Sequence, residues 1–273
     1  MTLKEAYNYG VYFLSCNGID EADFKSLCLV CHLAGIKNSQ FPQHQQDDVI
    51  MKKFADLLWR VKSGEPIQYV IGKWDFYESE FFVGKGVLIP RPETEELVDY
   101  AIRYVQTLSA PVIFDLCAGS GCIGLSIAKA CPDSIVYLIE KSPDAVFYLM
   151  KNAQGIQNAK VICGDIADAF DLPCADVIIS NPPYIKSADI PNLQKEVLEE
   201  PVMALDGGKD GLDFYRIIND NWSVKLKNSG RLFLEIGESQ GNDIHSVLTE
   251  FKNIEVIKDM YNNERIVVAQ KKD

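Results

Sequence analysis

The residues best suited to chemistry are Asn181-Pro182-Pro183-Tyr184, which directly follow the apolar β-formers at 177–179. Prolines have no N–H to continue a sheet, so the strand must end at Asn181, and ligands of open α/β sheets bind at such carboxyl ends. The Asn181 side-chain oxygen and the Pro182 carbonyl are two acceptors beside the Tyr184 ring. This arrangement suits a planar NH2 group, such as an amide or an aromatic amine. A proline-terminated strand without any ligand is the simpler alternative.

A second candidate site is the glycine-rich segment between a predicted strand at 112–117 and a predicted helix. Gly119, Gly121 and Gly124 fit the pattern G-x-G-x-x-G, which lets the backbone approach a ligand closely. Glu140 ends the next predicted strand, and an acid at that place binds ribose hydroxyls in sites for NAD and for S-adenosylmethionine alike. The glycine pattern alone therefore leaves both cofactors open.

Two further carboxylates favour the methyl donor over the dinucleotide. Asp115 lies directly before the loop, where its charge would repel a pyrophosphate but would suit a cationic amino group and a sulfonium. Asp165 follows the third predicted strand, where it could accept a hydrogen bond from an adenine amino group. An ordinary turn aspartate is the alternative for Asp165.

Composition limits the class of protein. The 273 residues are 47% hydrophobic and 24% charged, which is typical of a globular chain. No apolar run approaches the roughly 20 residues of a membrane span, and the first residues lack a basic-then-apolar signal, so we expect a cytoplasmic protein. The net charge of −12 argues against a large nonspecific nucleic-acid surface.

The eight cysteines include Cys28 and Cys31 in the pattern C-x-x-C-H with His32, a spacing found at haem attachment sites and compatible with metal binding. No second C-x-x-C follows at zinc spacing, and Phe24 and Leu27 would share the same helix face. We therefore interpret this face as a helix core, and the thiols as small buried hydrophobes in a reducing compartment.

Hydrophobic periodicity predicts three helices before residue 64, and the pattern of residue types changes after it. Thr2 and Glu5 form a capping box for the first helix, and two more helices end near Gly35 and Gly64. Residues 66–90 alternate aromatic, β-branched and polar residues, which predicts a β-hairpin or meander. From residue 92, strands and helices alternate, which predicts a parallel sheet with helices on both faces and one antiparallel edge strand.

These stretches together resemble the HemK/PrmC family of release-factor glutamine methyltransferases. The resemblance covers nearly the whole chain, and the most specific combination is IPRPETE with NPPY and the segment EEPVMALDGGKDGL. It implies an α/β protein with a seven-stranded Rossmann-like S-adenosylmethionine-dependent methyltransferase domain. The implied divisions are a small all-α domain that binds the release factor at 1–64, a β-hairpin linker at 65–92, and the methyltransferase domain at 93–273.

The resemblance also implies roles for particular residues. Methyl transfer from S-adenosyl-L-methionine to the side-chain nitrogen of the Gly-Gly-Gln loop glutamine would use Asn181, Pro182 and Tyr184 as catalytic residues. The glutamine would be bound by the same residues with Pro183. Arg91 and Glu93 could help to bind it by shaping the mouth of the site, or could simply cap the helix that follows. The cofactor would be bound by Asp115, Cys117, Ala118, Gly119, Ser120, Gly121, Glu140, Lys141, Asp165, Ile166 and Asn181. Cys117-Ala118 stands where the family usually has Gly-Thr or Gly-Ser, and Glu140 stands where Asp is commoner.

Three other functions are considered. An amino-methyltransferase acting on adenine or cytosine in nucleic acid would use the same NH2 clamp, but the acidic charge disfavours it. An NAD-linked dehydrogenase would use the glycine loop, and a noncatalytic binding module would not need Asn181-Pro182-Pro183-Tyr184. We expect a monomer whose partners are class I peptide chain release factors, with no membrane and no direct nucleic-acid partner.

Overall fold

The computed structural model describes residues 1–273, which form two compact units. The first contains Met1–Lys73 and Lys195–Glu199, and the second contains Trp74–Gln194 and Glu200–Asp273. The three-part division at residues 64 and 92 stays a prediction. None of the helices is both long and apolar enough to cross a membrane.

The first unit is helical. Thr2 Oγ1 accepts a hydrogen bond from the Glu5 amide at 3.2 Å, and the Glu5 carboxylate accepts one from the Thr2 amide at 2.9 Å, so the predicted capping box is confirmed. A β-meander was predicted from residue 66, but the structure has a short helix there, and the strands begin only at Lys73. The helices are α1 (Leu3–Cys16), α2 (Ala22–Ala34), α3 (Phe41–His44), α4 (Met51–Lys62), α5 (Ile67–Ile71) and, later in the chain, one at Lys195–Leu198.

Helix α2 packs closely against α1, and its residues differ in burial from what the sequence predicts. A Cβ atom at Gly10 would lie 2.3 Å from Ser26 Oγ, so the glycine permits the close approach of the two helices. Lys25 of α2 is also buried, and its ammonium pairs with Glu196 at 2.5 Å. Phe24 was expected in the core, and this expectation is wrong because its side chain is 42% exposed.

The cysteines divide into three groups by exposure, so the expectation that they are buried is only partly correct. Cys28, Cys31, Cys122 and Cys131 are buried, Cys117 is half-buried, and Cys16, Cys163 and Cys174 are exposed. Burial raises the pKa of the Cys31 thiol to about 11. Cys28 and Cys31 therefore behave as small core residues.

The second unit begins with the predicted hairpin and continues as an α/β sheet. The hairpin strands are β1 (Lys73–Phe76) and β2 (Ser79–Phe82). The sheet strands are β3 (Val112–Leu116), β4 (Ile135–Glu140), β5 (Ala159–Cys163), β6 (Ala175–Ser180), β7 (Leu226–Glu235), β8 (Phe251–Lys258) and β9 (Glu264–Lys271). The helices are α6 (Pro92–Val105), α7 (Cys122–Ala130), α8 (Pro143–Asn152), α10 (Asp213–Ile217) and α11 (Gly241–Val247), with α9 being Lys195–Leu198 of the first unit.

The seven strands lie in the order β5-β4-β3-β6-β7-β9-β8. β3 pairs in parallel with β4 and with β6, so both strands that precede the candidate sites are central. The antiparallel strand was expected at the edge, but β9 lies between β7 and β8 and pairs antiparallel with both. The last hairpin therefore places its second strand inside the sheet and its first strand at the edge.

Both faces of the central strands are buried, as the apolar run at 177–179 predicts. Val177 and Ile179 pack into one core with residues of α6 and α7, whereas Ile178 packs into the other core with Tyr215 and Trp222. The predicted helix at 213–225 changes pitch, because α10 is followed by a π-helical turn at Ile218–Trp222 and a 3₁₀ turn at Ser223–Lys225.

Asp115 anchors the glycine loop from beneath. Its side chain is fully buried, and its Oδ2 accepts a hydrogen bond from the Gly124 amide in the first turn of α7 at 2.8 Å, while its Oδ1 has no partner. A Cβ atom at Gly124 would lie 2.7 Å from Asp115 Oδ2, so this glycine permits the contact. Burial, opposed by the Gly124 hydrogen bond, raises the pKa of Asp115 to about 8.

Replacing this carboxyl should change how stability depends on pH. The pKa of Asp115 is about 8 in the fold and 3.8 for an ordinary aspartate, so the native state binds the extra proton between these values. Stability from this proton is fully present below the lower value and is lost as the pH rises through the higher one. As the pH rises from 5 to 8, the free energy of unfolding of the wild type should fall relative to that of Asp115→Asn, by up to about 1.4 kcal/mol per pH unit.

Urea unfolding at several pH values between 5 and 8 would measure this difference. The exposed Asp171→Asn variant serves as the control and should follow the wild type. Parallel curves for the wild type and Asp115→Asn would contradict the assignment of a raised pKa to Asp115.

Candidate active site

A cavity of about 600 Å³ lies at the carboxyl ends of β3, β4, β5 and β6. The residues that follow these four strands all contribute to its lining, which is the placement that a parallel sheet dictates. Much of the wall is apolar and comes from Val87, Ile89, Ile123, Ile139, Ile166 and Ile217. The polar residues named below are therefore few and concentrated.

The glycine loop forms one wall of this cavity. Cys117, Gly119 and Gly121 have φ values of +58°, +56° and +82°, so the chain passes through the left-handed region at alternate residues. This conformation is costly for Cys117, the one non-glycine among the three. The Ser120 hydroxyl is buried, lines the cavity and has no hydrogen-bond partner within the protein. The loop therefore offers a close backbone surface and one unused hydroxyl to a ligand.

Glu140 holds this loop against the end of β4. Its Oε2 accepts a hydrogen bond from the Gly119 amide at 2.8 Å, and its Oε1 accepts one from the Ser142 amide at 2.7 Å. Each carboxylate oxygen has further lone-pair capacity, so Glu140 can accept additional hydroxyl donors from the cavity side. The position thus combines support of the loop with an acceptor for a diol.

Lys141 and Asp165 lie on the rim of the same cavity and form an ion pair at 2.6 Å. The hydrogen bond from Lys141 lowers the pKa of Asp165, and the Ala167 amide lowers it further. The neighbouring Ile166 is buried, and its carbonyl accepts a hydrogen bond from Trp222 Nε1 at 2.8 Å. Asp165 is therefore a charged acceptor beside a fixed apolar wall.

The corner after β6 is held by a loop that packs on its backbone. A Cβ atom at Gly207 would lie 2.7 Å from Tyr184 Cα, and one at Gly211 would lie 2.5 Å from the Tyr184 carbonyl oxygen. Gln240 Nε2 donates a hydrogen bond to the same carbonyl at 3.1 Å. These close contacts explain Gly207 and Gly211, two of the three glycines of the segment DGGKDG.

Asn181 lines the cavity with its side chain held from one side. Its Nδ2 donates a hydrogen bond to Thr94 Oγ1 at 3.2 Å, and Thr94 Oγ1 in turn donates to Glu235 Oε2 at 2.6 Å. The Asn181 side-chain oxygen and the Pro182 carbonyl accept no hydrogen bond from the protein. The Asn181 oxygen is therefore an available acceptor in the cavity wall, whereas Pro182 is buried and does not line the cavity.

Five predicted site residues do not line the cavity, namely Glu93, Asp115, Gly121, Pro182 and Tyr184. The direct contact of Asp115 with a cationic ligand stays a prediction; its side chain is fully buried and bonds the Gly124 amide. The aromatic contact of Tyr184 also stays a prediction; its hydroxyl lies 3.3 Å from the buried Glu235 Oε1. The predicted residues that do line the cavity are Arg91, Cys117, Ala118, Gly119, Ser120, Glu140, Lys141, Asp165, Ile166, Asn181 and Pro183.

Three residues of the site were not assigned a role from the sequence. Glu200 is buried, accepts a hydrogen bond from the Ile89 amide at 2.9 Å and pairs with Arg91, so it fixes two residues that line the cavity. Thr94 and Glu235 are each 2% exposed and hold Asn181. An acid at the carboxyl end of a central strand, as Glu235 is, was the available signal.

The residues around the cavity fit the chemistry of S-adenosylmethionine. Glu140 is placed to accept from a ribose diol, and Asp165 beside Ile166 is placed to accept from an adenine amino group next to an apolar wall. The glycine loop provides an unpaired hydroxyl and close backbone for the amino-acid end. The acidic character of these groups suits a cationic ligand better than a pyrophosphate.

Comparisons with known proteins address the class of enzyme. Residues 5–72 match the PrmC N-terminal domain and residues 98–212 match the Methyltransferase small domain. A release factor glutamine methyltransferase of Thermodesulfovibrio yellowstonii is 39% identical over 254 residues, covering 89% of this chain and 90% of the relative. One of Clostridium acetobutylicum is 37% identical over 235 residues, covering 83% and 82%.

A solved structure supports the fold alone. A 16S rRNA N2 methyltransferase of T. thermophilus, in complex with AdoMet and guanosine, superposes with a TM-score of 0.51 at 15% identity, covering 73% of this chain and 50% of that chain. The seven-stranded sheet is therefore Rossmann-like, as in that structure. The match to the Methyltransferase small domain and the sequence relatives show that the chain is an enzyme of the transferase class. By its sequence relatives, the chain belongs to the family of release factor glutamine methyltransferases.

Proposed function

We propose that this methyltransferase uses S-adenosyl-L-methionine to methylate the side-chain nitrogen of the glutamine in the Gly-Gly-Gln loop of class I peptide chain release factors. The observation that carries the proposal is the state of Asn181. Its NH2 group is engaged by Thr94, and its oxygen lacks a partner on the side of the cavity. The names of the sequence relatives support the choice of a release factor as substrate.

The residues assigned to the cofactor are those around the glycine loop. Cys117 to Ser120 would hold its methionine part, Glu140 its ribose, and Asp165 with Ile166 its adenine. When bound, S-adenosylmethionine supplies an electrophilic methyl group on a sulfonium. Asp115 and Gly121 act on this site indirectly, because Asp115 fixes the first turn of α7 and Gly121 permits the left-handed turn before it.

The corner after β6 would bind the substrate amide. An amide nitrogen is a weak nucleophile because its lone pair is delocalised into the carbonyl. The Asn181 oxygen would accept one N–H group. The Pro182 carbonyl, although Pro182 itself does not line the cavity, would accept the other and fix the direction of the nitrogen. Positive charge that develops on this nitrogen would meet two preorganised dipoles, and such preorganisation is a major source of catalytic rate.

The proton released from the methylated nitrogen needs no strong base. An asparagine oxygen accepts the hydrogen bond without keeping the proton, which passes to water. Arg91, fixed by Glu200, lies on the cavity wall where it would contact the substrate loop. We assign no stacking role to Tyr184, since its hydroxyl is committed to Glu235.

The direct test of the function is transfer of a labelled methyl group from S-adenosylmethionine to a purified class I release factor. Label should enter the wild-type factor and not a factor whose loop glutamine is replaced by alanine. Labelling that persists without the glutamine, or that appears in DNA or RNA in place of protein, would overturn the proposal. A thermal-shift comparison of S-adenosylmethionine with NAD separates the dehydrogenase alternative.

Removal of the Asn181 side chain should abolish most of the activity. Asn181→Ala should lower kcat by about 100- to 1000-fold, the range found when one preorganised hydrogen-bonding group of an active site is removed. Calorimetry should show the Kd for S-adenosylmethionine within a few-fold of the wild type. The exposed Asn242→Ala variant is the matched control, and equal kcat values for the two variants would refute the role of Asn181.

Removal of the Glu140 carboxylate should act on cofactor binding. Glu140→Ala takes away the acceptor of the Gly119 and Ser142 amides together with the proposed ribose contact. The Kd for S-adenosylmethionine measured by calorimetry should rise by about 10- to 100-fold, as expected for hydrogen bonds to a charged group. Glu238→Ala, at an exposed position, should leave the Kd unchanged. An unchanged Kd in Glu140→Ala would remove this residue from the site.

A further inference from the structure

The side chain of Asn181 can lie in its position in two ways that differ little in shape. An asparagine side chain has a carbonyl oxygen on one branch and an NH2 group on the other, and a half-turn exchanges them. Only the orientation with the oxygen toward the cavity can accept from a substrate NH2 group. The neighbours of Asn181 must therefore select one of the two orientations.

We infer that Thr94 and Glu235 are positioning residues that select the orientation of Asn181 in which its oxygen faces the cavity. A hydroxyl has one hydrogen, and that of Thr94 is donated to Glu235 at 2.6 Å. The Thr94 oxygen is then left only as an acceptor, so the branch of Asn181 that faces it at 3.2 Å must be the NH2 group. This inference rests on the proposed function, because it explains how the amide-binding acceptor is set.

The carboxylate at the end of this chain is itself held by several groups. Tyr184 Oη lies 3.3 Å from Glu235 Oε1, and Thr94 occupies Oε2, so both oxygens have hydroxyl partners. Burial raises the pKa of Glu235, whereas the Thr94 hydrogen bond and the charge of Arg265 oppose that rise. Arg265 in turn is paired with the buried Asp259 at 3.3 Å. Glu235 is thus held in place as the acceptor of the Thr94 hydroxyl hydrogen, which is then not donated to Asn181.

The two hydrogen bonds that link Asn181, Thr94 and Glu235 join three parts of the fold. Thr94 lies in the first turn of α6, Asn181 follows β6, and Glu235 ends β7, the strand that pairs with β6. All three lie in the second compact unit. Thr94 and Glu235 are each 2% exposed, and the Thr94 hydroxyl is engaged by both Glu235 and Asn181, so we expect their effect to pass through Asn181.

The orientation of Asn181 can be measured without catalysis. In protein labelled with ¹⁵N-asparagine, the Asn181 side-chain NH2 signal is identified by its loss in Asn181→Asp. In Thr94→Val its hydrogens should exchange with water about tenfold faster or more, since a hydrogen bond to the NH2 group is lost. Thr94→Ser, which keeps the hydroxyl, should retain the wild-type signal.

The matched control is Thr249→Val, because Thr249 Oγ1 accepts a hydrogen bond from Asn219 Nδ2 at the same 3.2 Å, outside the cavity. Thr249→Val should change the Asn219 signal and leave the Asn181 signal as it is. If Thr94→Val does not fold, Glu235→Gln carries the same test. A glutamine NH2 can donate to Thr94, which frees the Thr94 hydrogen for Asn181, so the Asn181 signal should shift or split.

Steady-state methyl transfer gives the second measurement. Thr94→Val and Glu235→Gln should lower kcat by about 10- to 100-fold, as misplacement of a binding group does, with the KM for S-adenosylmethionine unchanged and Thr94→Ser close to the wild type. Unchanged Asn181 exchange and unchanged kcat in both variants would overturn the inference. An inactive wild type would instead refute the proposed function, and the exchange measurement would still decide whether Thr94 orients Asn181.

Discussion

The site depends on a strand that is forced to stop in the middle of the sheet. β6 is flanked by β3 and β7, yet Pro182 and Pro183 have no N–H group to continue its ladders. The chain must therefore turn at Asn181, at the same edge of the sheet where the loops after β3 and β4 begin. Because β3, β4 and β6 are parallel, the glycine loop, Glu140 and Asn181 then line the same cavity.

The alternation of strands and helices and the buried apolar run were readable from the sequence, and the structure confirms the sheet that they predict. The differences arise where long-range contacts override local pattern. Lys25 is buried and pairs with Glu196, 171 residues away in the chain, whereas Phe24 is 42% exposed. The final strand enters the sheet beside β7, which its local hairpin pattern could not reveal.

The site shows the same division between local and distant information. The residues of the glycine loop and Asn181 are recognisable because each belongs to a short contiguous segment with a characteristic pattern of residue types. Thr94 and Glu235 are separated by 141 residues, and each fits an ordinary helix start or strand end. The aromatic ring of Tyr184 was likewise visible in the sequence, whereas the buried partner of its hydroxyl was not.

Two buried carboxyl groups near the cavity differ in what their surroundings allow. Asp115 has one backbone donor and an oxygen without a partner, so burial dominates and its pKa rises to about 8. Burial also raises the pKa of Glu235, but the hydrogen bonds from Thr94 and Tyr184 and the charge of Arg265 oppose that rise. A carboxyl that can take up a proton can also donate one, so it cannot fix the direction of a hydrogen-bond chain. Of the two, Glu235 is therefore the group suited to orient Asn181, whereas Asp115 is suited to hold the glycine loop.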